Sequence, residues 1–215
     1  MSHLFLDQLD PERQRVFDKL AAFADTFVLA GGTAIMLQIG HRKSFDFDCF
    51  SLDSPPKTIL PKVKRVFGTN VYPTIQTRDF LTVYTPEHVE LTFAKHPFKP
   101  LRPIMQTSSI PLFHMDDLVA NKAYTIGRRP AWRDYVDLFF VLKWNLYTLE
   151  NVIQLAERKF SGEFNAKLLL PQLTYFEDIK PAETTFLKES YNDEEIKAFL
   201  NDQVDTYLAT ILPQK

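Results

Sequence analysis

Residues 27–51, FVLAGGTAIMLQIGHRKSFDFDCFS, decide how this chain is read. They spell a short apolar strand, a glycine pair, one brief helix, a basic turn and a second strand bearing two aspartates. Asp46 and Asp48 are two residues apart, so on a strand their carboxylates leave the same face, while Phe45, Phe47 and Cys49 point the other way into a core. Two adjacent carboxylates repel each other unless a cation sits between them. Such hard oxygen ligands suit Mg²⁺, which takes one or two carboxylates and leaves its other positions to water and substrate phosphates. Gly31 and Gly32 end the first strand where a backbone would have to approach a phosphate closely. Arg42 and Lys43 add positive charge between the glycines and the carboxylates. Taken singly, a Gly-Gly is a turn and an Asp-x-Asp on an edge strand is a solvated face. Together they describe a site for a metal-bound polyphosphate.

Working outward, composition permits a soluble globular protein of one or two domains. Of 215 residues, 45% are hydrophobic and 19 are phenylalanine, ample material for a core. No apolar run approaches the roughly 20 residues that cross a bilayer, and the N-terminus reads as no secretory signal. The single cysteine, Cys49, excludes an internal disulfide framework and fits a reducing cytoplasm. A net charge of −2 gives no global sign of nucleic-acid binding.

Before the central stretch, Asp10 and Pro11 predict the start of a helix whose apolar face is Val16, Phe17, Leu20 and Phe23. After it, Pro55 and Pro56 break the chain, and residues 57–67 have helical spacing. Residues 70–96 alternate with period two and predict two or three antiparallel strands, with Pro73 marking an edge or an interruption. Periodicity is lost over 100–111, and a domain boundary is expected there: 1–104 an α/β domain, 105–215 helical. Helices are expected over 116–126 and 132–144, joined by a turn ending in Pro130, with another beginning at Thr148 and a last one capped by Asn192 and Glu195. The histidines show no ligand spacing, and His41 reads as a solvated loop residue.

The run Gly31, Gly32, Thr33, Ala34, followed by Arg42, Ser44, Asp46 and Asp48, resembles the opening motif of the nucleotidyltransferase superfamily, in particular the AbiEii/AbiGii toxin branch. The helical half is similar to that branch at Asp117, Lys122, Arg128 or Arg129, Arg133, Asp134 and Asp137. The resemblance implies an α+β fold: a nucleotidyltransferase-like mixed β-sheet with helices, followed by an all-helical C-terminal domain, with the site in the cleft between them. It implies transfer of a nucleotidyl group from a nucleoside triphosphate to tRNA, a protein or a small molecule, as the toxin of a toxin–antitoxin or phage-defence system with a cognate antitoxin as partner. In that scheme Asp46 and Asp48 hold Mg²⁺ against the triphosphate, while Gly31, Gly32 and Thr33 cradle phosphate oxygens with Arg42 and Ser44 beside them. Lys122 neutralises phosphate charge, with Arg129 and Asp134 as further site residues. A bland alternative for Arg133, Asp134 and Asp137 is local ion pairing on an exposed helix.

One position departs from the superfamily pattern. A third carboxylate is expected on a later strand, and by register it falls on Thr92, which cannot act as a base. Glu90, two residues earlier, shares its face and stands as the candidate catalytic carboxylate. A chain lacking that base would be a catalytically impaired nucleotide-binding or partner-binding protein of the same fold.

Overall fold

A computed structural model of the chain describes residues 4–129, 131–179 and 182–211, so Pro130 lies outside the described residues. The chain divides into two compact units, Met1–Met115 and Asp116–Lys215.

The first unit is built on a five-stranded mixed sheet in the order β1-β2-β5-β4-β3. Helix α1 (Pro11–Lys19) opens it, with Asp10 accepting a hydrogen bond from the Arg13 backbone N–H at 2.9 Å and Pro11 in the first turn. This is the N-terminal chemistry that the sequence predicts. β1 (Val28–Ala30) leads directly into α2 (Gly31–Ile39), so the glycine pair forms the first turn of the helix instead of a turn preceding it. Gly40 ends α2 in the left-handed conformation, φ 62°. β2 (Phe47–Ser51) follows, then α3 (Ile59–Phe67), β3 (Tyr72–Gln76), β4 (Phe80–Tyr84) and β5 (Glu90–Lys95). β2 runs antiparallel to β1 and parallel to β5, while β4 is antiparallel to both β5 and β3.

The two sheet faces differ in kind. One is the core: Phe47, Cys49, Leu81, Val83, Leu91 and Phe93 are buried. Phe17 lies against Phe47 and Phe23 against Phe93, with ring centroids 6.3 and 4.9 Å apart. Phe45, expected in this core, precedes β2 and is 38% exposed, with the Arg13 guanidinium 4.8 Å above its ring. Strand alternation therefore begins at Phe47. The other face carries Asp48, Thr92, Glu90, Thr82 and Tyr84, set by the strand registers.

β3 is the open edge. Pro73 sits there beside a register shift between Pro73 and Ile75, two features that blunt an edge against strand addition. The β1 edge is covered by the segment around the expected domain boundary: the Leu29 N–H donates to the Pro111 carbonyl at 2.7 Å, and the Phe113 N–H donates to the Leu29 carbonyl at 3.1 Å. These bonds tie residues 105–113 to the sheet, which is why the first unit extends past residue 104.

The second unit is helical: α4 (Met115–Thr125), α5 (Trp132–Lys143), α6 (Leu149–Lys159), α7 (Ala166–Thr174) and α8 (Asp193–Ile211). α5 is its centre, buried almost all round, with Phe139 and Phe140 packed edge-on against Tyr191 at 4.9 and 5.8 Å. Thr148 caps α6 in a reciprocal box with Asn151, and Asn192 does the same for α8 with Glu195. Among the described residues no helix is long and apolar enough to cross a membrane.

Candidate active site

The first-unit site is assembled by the β1–α2–β2 connection. Gly31 has φ +67°, a left-handed conformation that side-chain-bearing residues rarely adopt, and a Cβ added there would fall 2.1 Å from Asp48 Oδ2. The Asp48 carboxylate therefore lies directly on the helix-opening glycine. A Cβ on Gly32 would meet Arg42 Nη2 at 2.6 Å and Ser44 Oγ at 3.1 Å. Arg42 is buried and donates from Nη1 to the Lys43 carbonyl at 2.9 Å. The Thr33 hydroxyl lies 2.9 Å from Ser44 Oγ and bonds the Asp46 carbonyl, fixing the chain just before β2. Ala30, at the N-cap, offers no side-chain bond to the first-turn amides of α2. Those amides end beside a carboxylate and an arginine, a polarity suited to a phosphate bridged by a cation.

Register decides the third carboxylate position. Asp48 is level with Thr92 on β5, and Thr92 with Thr82 on β4, the two hydroxyls being 3.2 Å apart. One step back along the same registers Phe47 is level with Leu91, and the next residue of β5, Glu90, is paired with Tyr84; Asp46 immediately precedes β2, and its charge reaches Tyr84. The Glu90 carboxylate across the strand pair, as a hydrogen-bond partner and by its charge, with slight burial and the charge of Asp46, pushes the Tyr84 phenol above its usual range. Asp48 and Glu90 thus share one sheet face, and with Asp46 just ahead of β2 they carry only oxygen donors. Among the described residues no group of three or more His, Cys, Asp or Glu side chains could hold a metal unaided. Two carboxylates, completed by phosphate oxygens and water, fit a hard divalent cation of the Mg²⁺ kind.

Neighbouring residues complete the local chemistry. Cys49 is buried on the core side, where burial and then the Asp48 charge hold its thiol well above the ordinary range. It is a core residue and no nucleophile. His41, expected in solvent, is buried. Sequence reasoning misses Tyr84, because its pairing with Glu90 depends on a cross-strand register that no local pattern encodes.

In the second unit, Lys122 Nζ lies 2.6 Å from Asp134 Oδ1 and 2.6 Å from Asp137 Oδ2. Arg129 forks onto Asp134, with Nε to Oδ2 at 2.8 Å and Nη2 to Oδ1 at 2.9 Å. Asp134, Asp137 and Lys122 are buried, whereas the Arg129 side chain is 59% exposed. Burial alone would raise Asp134, but Lys122 and Arg129 outweigh it and hold the carboxyl below its ordinary range. The ion pairs are local, as the bland alternative has it, but the helix face that holds them is internal. Arg133 is exposed beside them. Asp117 forms a second buried pair with Lys159 at 2.8 Å.

The profile of a family described as Nucleotidyl transferase AbiEii toxin, Type IV TA system, matches residues 15–210. An uncharacterized protein of Aquifex aeolicus (strain VF5) is 25% identical over 216 residues, covering 94% of this chain and 98% of that protein. Among solved structures, JHP933 from Helicobacter pylori is similar with a TM-score of 0.58 at 17% identity, covering 93% of this chain and 91% of that one. MenT4, a nucleotidyltransferase toxin from Mycobacterium tuberculosis H37Rv, is similar with a TM-score of 0.56 at 16% identity, covering 95% of this chain and 87% of that one. At such identities the structural likenesses speak for the fold alone.

Proposed function

The chain belongs to the AbiEii family of nucleotidyltransferase toxins, and from that premise we propose that it moves a nucleotidyl group from a nucleoside triphosphate to a hydroxyl of tRNA, a protein or a small molecule, as the toxin of a pair with a cognate antitoxin. The observation that carries this reading is the placement of Asp48 against Gly31, with Glu90 on the same sheet face and Asp46 immediately before the strand. It joins a phosphate-accepting helix start to a carboxylate pair.

Asp46 and Asp48 would hold Mg²⁺, which when bound offsets charge on the triphosphate and on the departing pyrophosphate. The first-turn amides of α2 and the Thr33–Ser44 pair orient the phosphate chain. Arg42 is locked against Gly32 and sets the positive potential around it. Glu90 receives the acceptor proton, as the carboxylate that β5 carries on the Asp48 face, where Thr92 is engaged with Thr82. In the second unit, Lys122, Arg129, Asp134 and Asp137 carry two positive and two negative formal charges. We assign phosphate contact there to the exposed fork of Arg129, with Lys122 and Asp134 fixing its position.

A second reading is favoured by one observation: the residue level with Asp48 on β5 is a threonine already bonded to a neighbouring hydroxyl. If Glu90 does not serve as the base, the chain binds nucleotide and transfers nothing, or acts through a protein partner. Incubation with each α-labelled triphosphate, Mg²⁺ and total cell extract tests the main reading and identifies the acceptor. Label on a discrete molecule supports transfer, and tight nucleotide binding without any labelled product supports the second reading.

A further inference from the structure

Tyr84 stands directly opposite Glu90 across β4 and β5, on the face that also carries Asp48 and Thr92. It is 38% exposed, so the phenol that the pairing sets beside Glu90 is not shut away from substrate. We propose that Tyr84 is itself an acceptor, and that the chain transfers a nucleotidyl group from a nucleoside triphosphate onto its own Tyr84 Oη. This rests on the nucleotidyltransferase reading above.

A hydroxyl set across a strand pair from a carboxylate base is placed as a nucleophile that the base can activate. The step balances without a further reagent. Tyr84 Oη attacks the α-phosphorus and an Oη–P bond forms. The bond from the α-phosphorus to the oxygen bridging to the β-phosphate breaks, and pyrophosphate leaves with that electron pair. The phenolic proton passes to Glu90. The product is a tyrosyl phosphodiester whose nucleotide lies over the Asp48–Glu90 face, so a modified chain is closed to external acceptors and the activity limits itself.

Exposure alone would favour another residue. Tyr72, opposite Tyr84 on β3, is 68% exposed but stands one strand further from the carboxylates. Proximity to Glu90 selects Tyr84, and the two phenols form an internal control.

The full chain is incubated with each triphosphate and Mg²⁺, then weighed intact and mapped by tryptic digestion. Residues 79–95 form one peptide with Tyr84 as its sole tyrosine. The expected result is one added nucleotidyl group on that peptide, lost in Tyr84→Phe, kept in Tyr72→Phe and slowed ~10²–10⁴-fold in Glu90→Gln, as loss of a positioned base predicts. A readout independent of turnover is nitration by tetranitromethane: an α,β-methylene triphosphate with Mg²⁺ should protect Tyr84 while leaving Tyr72 reactive. Label on Tyr72, or label that persists in Tyr84→Phe, overturns the assignment. A wild type that labels an external acceptor but never itself overturns it while leaving the nucleotidyltransferase reading intact. Absence of triphosphate binding by calorimetry removes both.

Discussion

The Cα of Gly31 rests against the carboxylate of Asp48, so closely that an added Cβ would fall 2.1 Å from Oδ2. The glycine is also in the left-handed region, so two separate requirements meet at one residue. Gly31→Ala should cost about 1–3 kcal/mol for the backbone conformation alone. It should also displace Asp48 and remove Mg²⁺-dependent nucleotide binding. Urea unfolding and calorimetry on this variant check both effects; retention of wild-type binding would show that Asp48 does not need its present position.

Glu90 and Thr92 divide the question of chemistry between them. Glu90→Gln should leave nucleotide affinity within a factor of two or so while slowing single-turnover transfer ~10²–10⁴-fold. Thr92→Asp puts a carboxylate level with Asp48 and should rescue transfer in the Glu90→Gln background. A wild type that is active and indifferent to Glu90→Gln would place the base elsewhere.

Lys122 and Arg129 should separate stability from binding. Lys122→Met strips a buried cation from Asp134 and Asp137, and loss of one partner from a buried pair typically costs ~3–5 kcal/mol. Arg129→Ala removes a half-exposed partner while Lys122 still neutralises Asp134, so it should cost less stability than Lys122→Met, yet weaken triphosphate binding more than monophosphate binding. Equal loss for the two nucleotides would count against a phosphate role for Arg129.

Acid should weaken the second unit through Asp134. Its carboxyl is held below the ordinary value by Lys122 and Arg129 against the opposing effect of burial. A depressed folded-state value contributes stability that is fully present above the unfolded value of about 3.9 and is lost as pH falls through the folded one. Urea midpoints measured between neutral pH and pH 3 should therefore drop below about pH 4. The drop should be shallower in Asp134→Asn; an identical acid limb in the variant would assign it to other carboxylates.

Much of the candidate site is legible in the amino-acid order because its pieces are local. Gly31, Gly32, Thr33, Arg42, Ser44, Asp46 and Asp48 fall within one strand–helix–strand unit, where period-two alternation and glycine chemistry act over a few residues. Asp10, Asn192 and Pro73 are legible for the same reason, as caps and an edge marker. What escapes such a reading depends on distant partners. Phe45 leaves the core because Arg13, far away in sequence, takes its ring and carbonyl. Tyr84 acquires meaning only from its register with Glu90. Lys122 reads as a lone cation until α5 places Asp134 and Asp137 against it. α7 also escapes: no expectation covers Ala166–Thr174, where the helix runs through Pro171.

The most direct measurement is titration calorimetry of the four nucleoside triphosphates, with and without Mg²⁺, on the wild type and on Asp46→Asn/Asp48→Asn. The wild type should bind at least one triphosphate in the presence of Mg²⁺ and lose that binding without it. The double variant should bind none while melting at or above the wild-type temperature in the absence of metal, because two neighbouring like charges have been removed. Wild-type binding of no triphosphate, or equal Mg²⁺-dependent binding by the variant, would contradict the assignment of this face as the nucleotide site.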